Sequence, residues 1–148
     1  MELLFRKIEE HNPEDIRQFN ELMDALTEHA GDPQCLKEKI QEINAWSNAY
    51  LMVAEDRETG RLSGSLLAIA FGDFCGDCRP VVLVENVVTH PDYQRKGIGK
   101  RMFEEIEAWG RERNAAYIIL CSSMNRTGAH EFYQAIGYDE VKGFKKYL

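Results

Sequence analysis

The sequence predicts an α/β fold of the α+β kind, a mixed and mostly antiparallel sheet of six to seven strands with about four helices, in one domain over residues 1–148. Three observations carry this. Val81-Val82-Leu83-Val84, resumed at Val87-Val88, is apolar with almost no alternation, the pattern of a mid-sheet strand buried on both faces. A helical pattern follows, and then a second apolar run from Tyr117 to Cys121, so these fourth and fifth strands should lie parallel through a right-handed crossover. Upstream, one strand, two helices and a hairpin supply the antiparallel part.

Leu3 to Ile8 alternates as a first strand. Asn12-Pro13-Glu14-Asp15 opens a helix with a capping side chain, a proline at the first position and acids at the positive end. Ile16, Phe19, Met23 and Leu26 make its apolar face, and His29-Ala30-Gly31 ends it. Asp32-Pro33 opens a second helix striped by Leu36, Ile40 and Ile43. Tyr50 to Glu55 and Arg61 to Phe74 are the hairpin strands around Glu58-Thr59-Gly60. Gly72 to Pro80 is a loop, and Pro91 breaks the fourth strand. Ile98, Met102, Ile106 and Trp109 give the third helix its buried stripe, and Asn114 stops it. Ala129, Phe132, Tyr133 and Ile136 share one face of a fourth helix that Gly137 closes. Tyr138 to Leu148 then supplies a short strand, a turn at Lys142-Gly143 and a last strand.

Composition narrows the function. A net charge of −7 argues against nucleic acid and suits a cationic small partner. The charged N-terminal stretch is no signal peptide, and no apolar run is long enough to span a membrane, so a cytoplasmic protein is expected. Cys35 and Cys121 read as small apolar fillers. Cys75-Gly76-Asp77-Cys78 reads as two free thiols in a turn or a redox-sensitive loop; no second pair of ligands is at hand, so no metal is expected.

The most informative stretch is Gln94-Arg95-Lys96-Gly97-Ile98-Gly99, between the fourth strand and a helix start. Unpaired amides, the positive helix end, glycines and four basic residues (Arg95, Lys96, Lys100, Arg101) together make an anion site. A nucleotide P-loop is excluded because its lysine signature is absent, and a dinucleotide fingerprint is disfavoured by Met102 where a third small residue belongs.

Gln-x-x-Gly-x-Gly after a buried strand, followed by Asn125-x-x-Gly128-Ala129-x-x-Phe132-Tyr133-x-x-x-Gly137-Tyr138, resembles the GCN5-related N-acetyltransferase (GNAT) superfamily. The resemblance covers the C-terminal half through two motifs in the right order. It implies acetyl-coenzyme A as co-substrate, with the fourth and fifth strands splayed to admit it. The backbone of Val87, Val88 and Thr89 would pair with the pantetheine arm as an added strand. The amides of Arg95, Lys96, Gly97, Ile98, Gly99 and Lys100 would hold the pyrophosphate, Asn125 would hydrogen-bond the pantetheine, and Ala129 and Phe132 would pack near the coenzyme. Helices after the first strand border the acceptor in such enzymes, which makes Phe19, Met23 and Trp46 candidate wall residues, with core packing the alternative.

Acetyl transfer to an amine requires that the ammonium lose a proton and that the leaving thiolate gain one. Glu85, an acid inside an apolar strand, is the candidate base, or else a carboxylate at the edge of the cleft that pairs with a lysine or binds the acceptor ammonium. Tyr133 is the candidate acid, and its position implies an approach to the sulfur. His130 turns off that face and reads as a rim residue. The expected activity is acetyl transfer to a primary amine of a small molecule, or of a peptide, by direct attack in a ternary complex. The alternative is a non-catalytic acyl-coenzyme A-binding sensor on the same fold. The C-terminal edge of the sheet offers a surface for a homodimer.

Overall fold

Two capping side chains set the N-terminal helices. Asn12 Oδ1 accepts from the N–H groups of Glu14 at 3.0 Å and Asp15 at 3.4 Å, and helix α1 runs Pro13–Leu26. Asp32 Oδ1 accepts from the Cys35 N–H at 2.9 Å and starts helix α2, Pro33–Asn44. The computed structural model describes residues 1–148. Its strands are β1 (Leu3–Lys7), β2 (Ala49–Asp56), β3 (Arg61–Phe71), β4 (Val81–Thr89) and β5 (Tyr117–Ile119), and the remaining helices are α3 (Ile98–Glu112) and α4 (Thr127–Ala135). The strands lie in sequence order, antiparallel throughout except for the parallel pair β4 and β5. No helix is long and apolar enough to cross a membrane.

The sheet has five strands and not six to seven. The tail from Tyr138 to Leu148 forms none of them. The Tyr138 N–H donates to the Tyr133 carbonyl at 2.9 Å and ties that residue to the end of α4. Beyond it Val141, Phe144 and Tyr147 recur at every third position, so no extended register gathers them on one face, and all three are exposed. β5 therefore remains the edge strand. It is also shorter than the Tyr117–Cys121 run, because Leu120 and Cys121 have left β4. All four cysteines are free and exposed, so Cys35 and Cys121 do not serve as core fillers.

Helices cover both faces of the sheet. α3 lays Ile98, Met102, Phe103 and Ile106 against Met52, Ala54, Leu66, Ala68, Val82 and Val84. α1 and α2 bring Phe19, Leu22, Met23 and Ile40 onto Leu51, Val53, Leu67 and Val88 of the opposite face. Phe19 and Met23 are thus core residues, whereas Trp46 is exposed. Gly64 lets β3 approach both neighbours closely: a Cβ there would lie 2.9 Å from the Val88 carbonyl oxygen and 3.1 Å from the Met102 side chain.

A partly buried group of ion pairs fixes α1 to the sheet. The Arg6 guanidinium makes two bonds to Asp15, at 2.7 and 2.8 Å, and a third to Glu55 Oε2 at 2.7 Å. Asp15 Oδ2 also accepts from the Glu9 N–H at 2.8 Å. Burial, the largest single influence on Asp15, works to raise its pKa, but Arg6 and the Glu9 N–H outweigh it and hold the carboxyl below its ordinary 3.8. A depressed folded-state pKa contributes stability at pH values above the ordinary one, and that contribution is lost as the pH falls through the folded value. Asp15→Ala is expected to lower the unfolding free energy by about 3 kcal/mol at neutral pH, since it strands Arg6 without its main partner. Urea unfolding measures this. The deficit should begin to shrink below about pH 4, where the unfolded chain's carboxyl takes up a proton, and should vanish as the pH falls through the lower folded value.

Candidate active site

The site is built on an irregularity in β4. Glu85 pairs with Leu67 and Val88 pairs with Ser65, so three steps on β4 oppose two on β3. The extra residue is a bulge, and Asn86 takes the left-handed conformation there, with φ at 54°. Before the bulge, Val82 and Val84 face α3 while Glu85 shares the α1 face with its partner Leu67. After it the alternation is shifted by one, so that Val87 packs against the α3 side and Val88 enters the α1 core. This explains why the apolar run in the sequence is interrupted for two residues and then resumes.

The bulge also parts the parallel strands. Pairing between β4 and β5 covers only Val81–Tyr117, Val82–Ile118 and Leu83–Ile119. From Val84 onward β4 keeps β3 on one edge, through Val88–Ser65 and Thr89–Gly64, while its β5-side edge has no strand partner. The backbone of Val87, Val88 and Thr89 therefore offers unpaired groups along one side of a gap.

At the C-terminal end of that gap lies the glycine loop. Arg95 and Gly97 are left-handed, with φ at 61° and 77°, and Gly97 occupies the N-cap of α3 without a capping side chain. None of the amides from Arg95 to Lys100 donates a hydrogen bond within the protein; the first that does so is Arg101, to the Gly97 carbonyl at 3.2 Å. A run of N–H groups without protein acceptors at the positive end of a 15-residue helix fits an anion such as a pyrophosphate. Ile98 is buried under the loop. The Lys100 ammonium lies 4.0 Å from Glu104 Oε1, one turn along the helix. Gly99 is small for a different reason from Gly97: a Cβ there would sit 3.0 Å from Phe132 Cζ, so its bareness admits α4 against α3.

α4 closes the other side. Phe132, Tyr133 and Tyr138 all pack edge-on around Phe103, with ring centroids 6.0, 5.6 and 5.4 Å from it. Phe103 is the hub of this cluster. The stripe drawn through Ile98, Met102, Ile106 and Trp109 passes it by, because a helix buried this deeply hides more than one stripe. Ala129 is half-buried on α4, and Asn125 is exposed in the turn before it. His130 Nε2 lies 2.8 Å from the Ser123 carbonyl oxygen, a rim position that ties α4 to the preceding turn.

Glu85 and Tyr133 approach the gap from opposite faces of the sheet. Glu85 is exposed on the α1 face, and no ion pair of the protein involves it. It is thus neither buried, as its apolar neighbours suggest, nor matched by a lysine. Burial pushes the Tyr133 phenol above its ordinary value; Arg126 opposes this, and the nearby charge of Glu85 adds to it. Tyr133 therefore keeps its proton throughout the neutral range.

A parted parallel pair, a free strand edge and a helix start with unbonded amides form one cleft at the carboxyl end of β4. The sequence profile of the Acetyltransferase (GNAT) family matches residues 16–138, and the chain belongs to that family. It is 25% identical over 136 residues to an aminoglycoside N(6')-acetyltransferase type 1 of Stenotrophomonas maltophilia, covering 91% of this chain and 87% of that one. A protein of the same description from Acinetobacter genomosp. 13 is 28% identical over 72 residues, 47% of this chain, and there the chain spans about half of the relative's length, 49%. The crystal structure of glucosamine-6-phosphate N-acetyltransferase from Arabidopsis thaliana superposes with a TM-score of 0.84 at 20% identity, over 100% of this chain and 99% of that one, a likeness of fold.

Proposed function

We propose that this protein transfers an acetyl group from acetyl-coenzyme A to a primary amine of a small molecule, by direct attack in a ternary complex. The observation that carries this reading is the parted β4–β5 pair with its free strand edge and the unbonded loop amides at its end, and the placement of Glu85 on one face of β4 and Tyr133 packed on the other supports it. Acetyl-coenzyme A, when bound, supplies an activated acyl thioester. Its pantetheine arm would lie on Val87, Val88 and Thr89, with Asn125, Ala129 and Phe132 on the facing side, and its pyrophosphate on the amides of Arg95 to Lys100. Glu85 takes the proton from the acceptor ammonium, directly or through a water, which frees the nitrogen lone pair for attack. As the C–N bond forms and the C–S bond breaks, Tyr133 gives its phenolic proton to the departing sulfur; the attacking nitrogen sheds its second proton to solvent, from which the phenolate is reprotonated.

The acceptor class follows from charge. Relatives by name act on aminoglycosides, which are polycations, and on a sugar phosphate. An unpaired carboxylate at the gap, in a chain of net charge −7, favours a cationic amine without a phosphate. Release of free thiol from acetyl-coenzyme A with a panel of amines tests this: polycationic amino sugars and polyamines should turn over, and phosphorylated amino sugars should not.

Glu85→Gln separates the two roles open to that residue. As the base, Glu85 should be worth about a hundredfold in kcat, and the variant should lose the rising limb of the pH–rate profile. Retention of the limb with a raised acceptor KM would instead make Glu85 an acceptor-binding group. The open edge at β5 and the exposed Phe144, Tyr147 and Leu148 also support a homodimer through this end of the sheet. A monomeric mass at high concentration in light scattering would remove that assignment.

A further inference from the structure

Between β4 and the glycine loop lies a one-turn helix, Pro91–Tyr93, whose last residue is more deeply placed than a loop residue needs to be. The Tyr93 ring is 6% exposed and belongs to the same core cluster as Ile98 and Met102, so it sits beneath the loop it precedes. Its hydroxyl donates to Asp56 Oδ2 at 2.9 Å, across 37 residues of sequence, and lies 3.3 Å from Thr59 Oγ1. Asp56 is itself 6% exposed and firmly held. Its Oδ1 accepts from the Glu58 N–H at 3.0 Å, its Oδ2 from the Thr59 hydroxyl at 3.0 Å, and its carbonyl from the Gly60 N–H at 2.8 Å. The β2–β3 turn is thus a rigid post, and the tyrosine is fastened to it by a charge-assisted bond. Two cations flank the same ring: the Lys96 ammonium from the loop, 5.1 Å from the centroid, and the Arg61 guanidinium from β3, 5.7 Å away.

We propose that Tyr93 is a positioning residue for coenzyme binding: its bond to Asp56 anchors the start of the glycine loop, so that the free amides stay convergent and Lys96 stays over the ring. The loop needs such an anchor. Arg95, two residues on, is left-handed without being a glycine, a conformation that persists only where its surroundings impose it. None of the amides from Arg95 to Lys100 is tied down within the protein, so the loop's shape rests on its two ends. Ile98, buried in the core, holds one end, and Tyr93 holds the other.

This inference rests on the reading of the loop as the coenzyme's pyrophosphate site, and the experiment keeps the two apart. Tyr93→Phe retains the ring and its packing and removes only the hydroxyl. It is expected to raise the dissociation constant for coenzyme A, and the KM for acetyl-coenzyme A, roughly tenfold, the factor for one hydrogen bond to a charged acceptor. The kcat at saturating coenzyme should stay within about twofold. In the ligand-free variant, hydrogen exchange at the bonded amides where the loop starts, Tyr93 N–H to the His90 carbonyl at 2.8 Å and Gln94 N–H to the Pro91 carbonyl at 3.4 Å, should quicken roughly tenfold against the parent, while exchange in β2 and β3 does not. An affinity and a loop exchange rate equal to the parent's, with only a lower melting temperature, would make the bond structural and overturn the proposal. Failure of the parent itself to bind coenzyme A in the same titration would strike the pyrophosphate reading and with it the coenzyme role of Tyr93. The exchange measurement would then still decide whether the bond shapes the loop.

Discussion

Tyr133→Phe should lower kcat at least tenfold, and toward the hundredfold that general acid catalysis typically supplies, while the dissociation constant for coenzyme A stays within about twofold. The substitution leaves the ring among Phe103, Phe132 and Tyr138, so packing is preserved and only the proton is lost. Because burial raises the phenol's pKa above its ordinary 10.0, the acid form is populated at all neutral pH values, and the falling limb of the parent's pH–rate profile should lie above pH 10. A falling limb near neutrality would point to another acid. So would a Tyr133→Phe variant as fast as the parent in single-turnover measurements, where product release cannot mask the chemical step.

Gly97→Val should weaken coenzyme A about a hundredfold, or about 3 kcal/mol, with little change in melting temperature. No atom lies within 4 Å of the position a Cβ would take at Gly97, so the substitution meets no clash. What it meets is the backbone: φ is 77°, a conformation that a β-branched residue adopts only at a cost of about 1–3 kcal/mol. The loop is exposed, so it can relieve that strain by turning over, which would disperse the amides that face the anion. Gly99→Ala makes the contrasting control. Its Cβ would press on Phe132 at 3.0 Å, so its first effect should be a lower melting temperature as α4 is pushed from α3. Calorimetric titration and thermal melts on the two variants distinguish binding from packing.

All three variants lie in the part of the chain that could be read most directly from the amino acids. An unalternating run, Val81 to Val84, could only be a central strand, and helix starts at Asn12-Pro13 and Asp32-Pro33 were legible because a cap is a local interaction. The glycine loop was legible for the same reason. What stayed hidden depends on conformation or on distance. The gap in the apolar run at Glu85-Asn86 marks an irregularity, yet only the register shows an inserted residue that moves Val87 and Val88 onto their faces. The exposure of Glu85 follows from where α1 and α2 leave the sheet uncovered, which no periodicity encodes. Tyr93 and Asp56 meet across a hairpin and two strands, and neither neighbourhood announces the other. The tail failed as a pair of strands because Val141, Phe144 and Tyr147 recur every third residue, a spacing that supports no sheet face.

The enzyme reading and the sensor reading agree on the coenzyme and part at turnover. The most direct measurement is therefore thiol release from acetyl-coenzyme A by purified protein that is shown in the same preparation to bind the coenzyme, across amines from polyamines to amino sugars, with the acetylated product identified by mass spectrometry. Free thiol and acetylated amine should appear in equal amounts with at least one cationic amine, at a rate that Tyr133→Phe cuts at least tenfold. Tight coenzyme binding with no thiol release above the rate without protein, for every amine, would contradict the enzyme reading and leave a binding protein on an acetyltransferase fold.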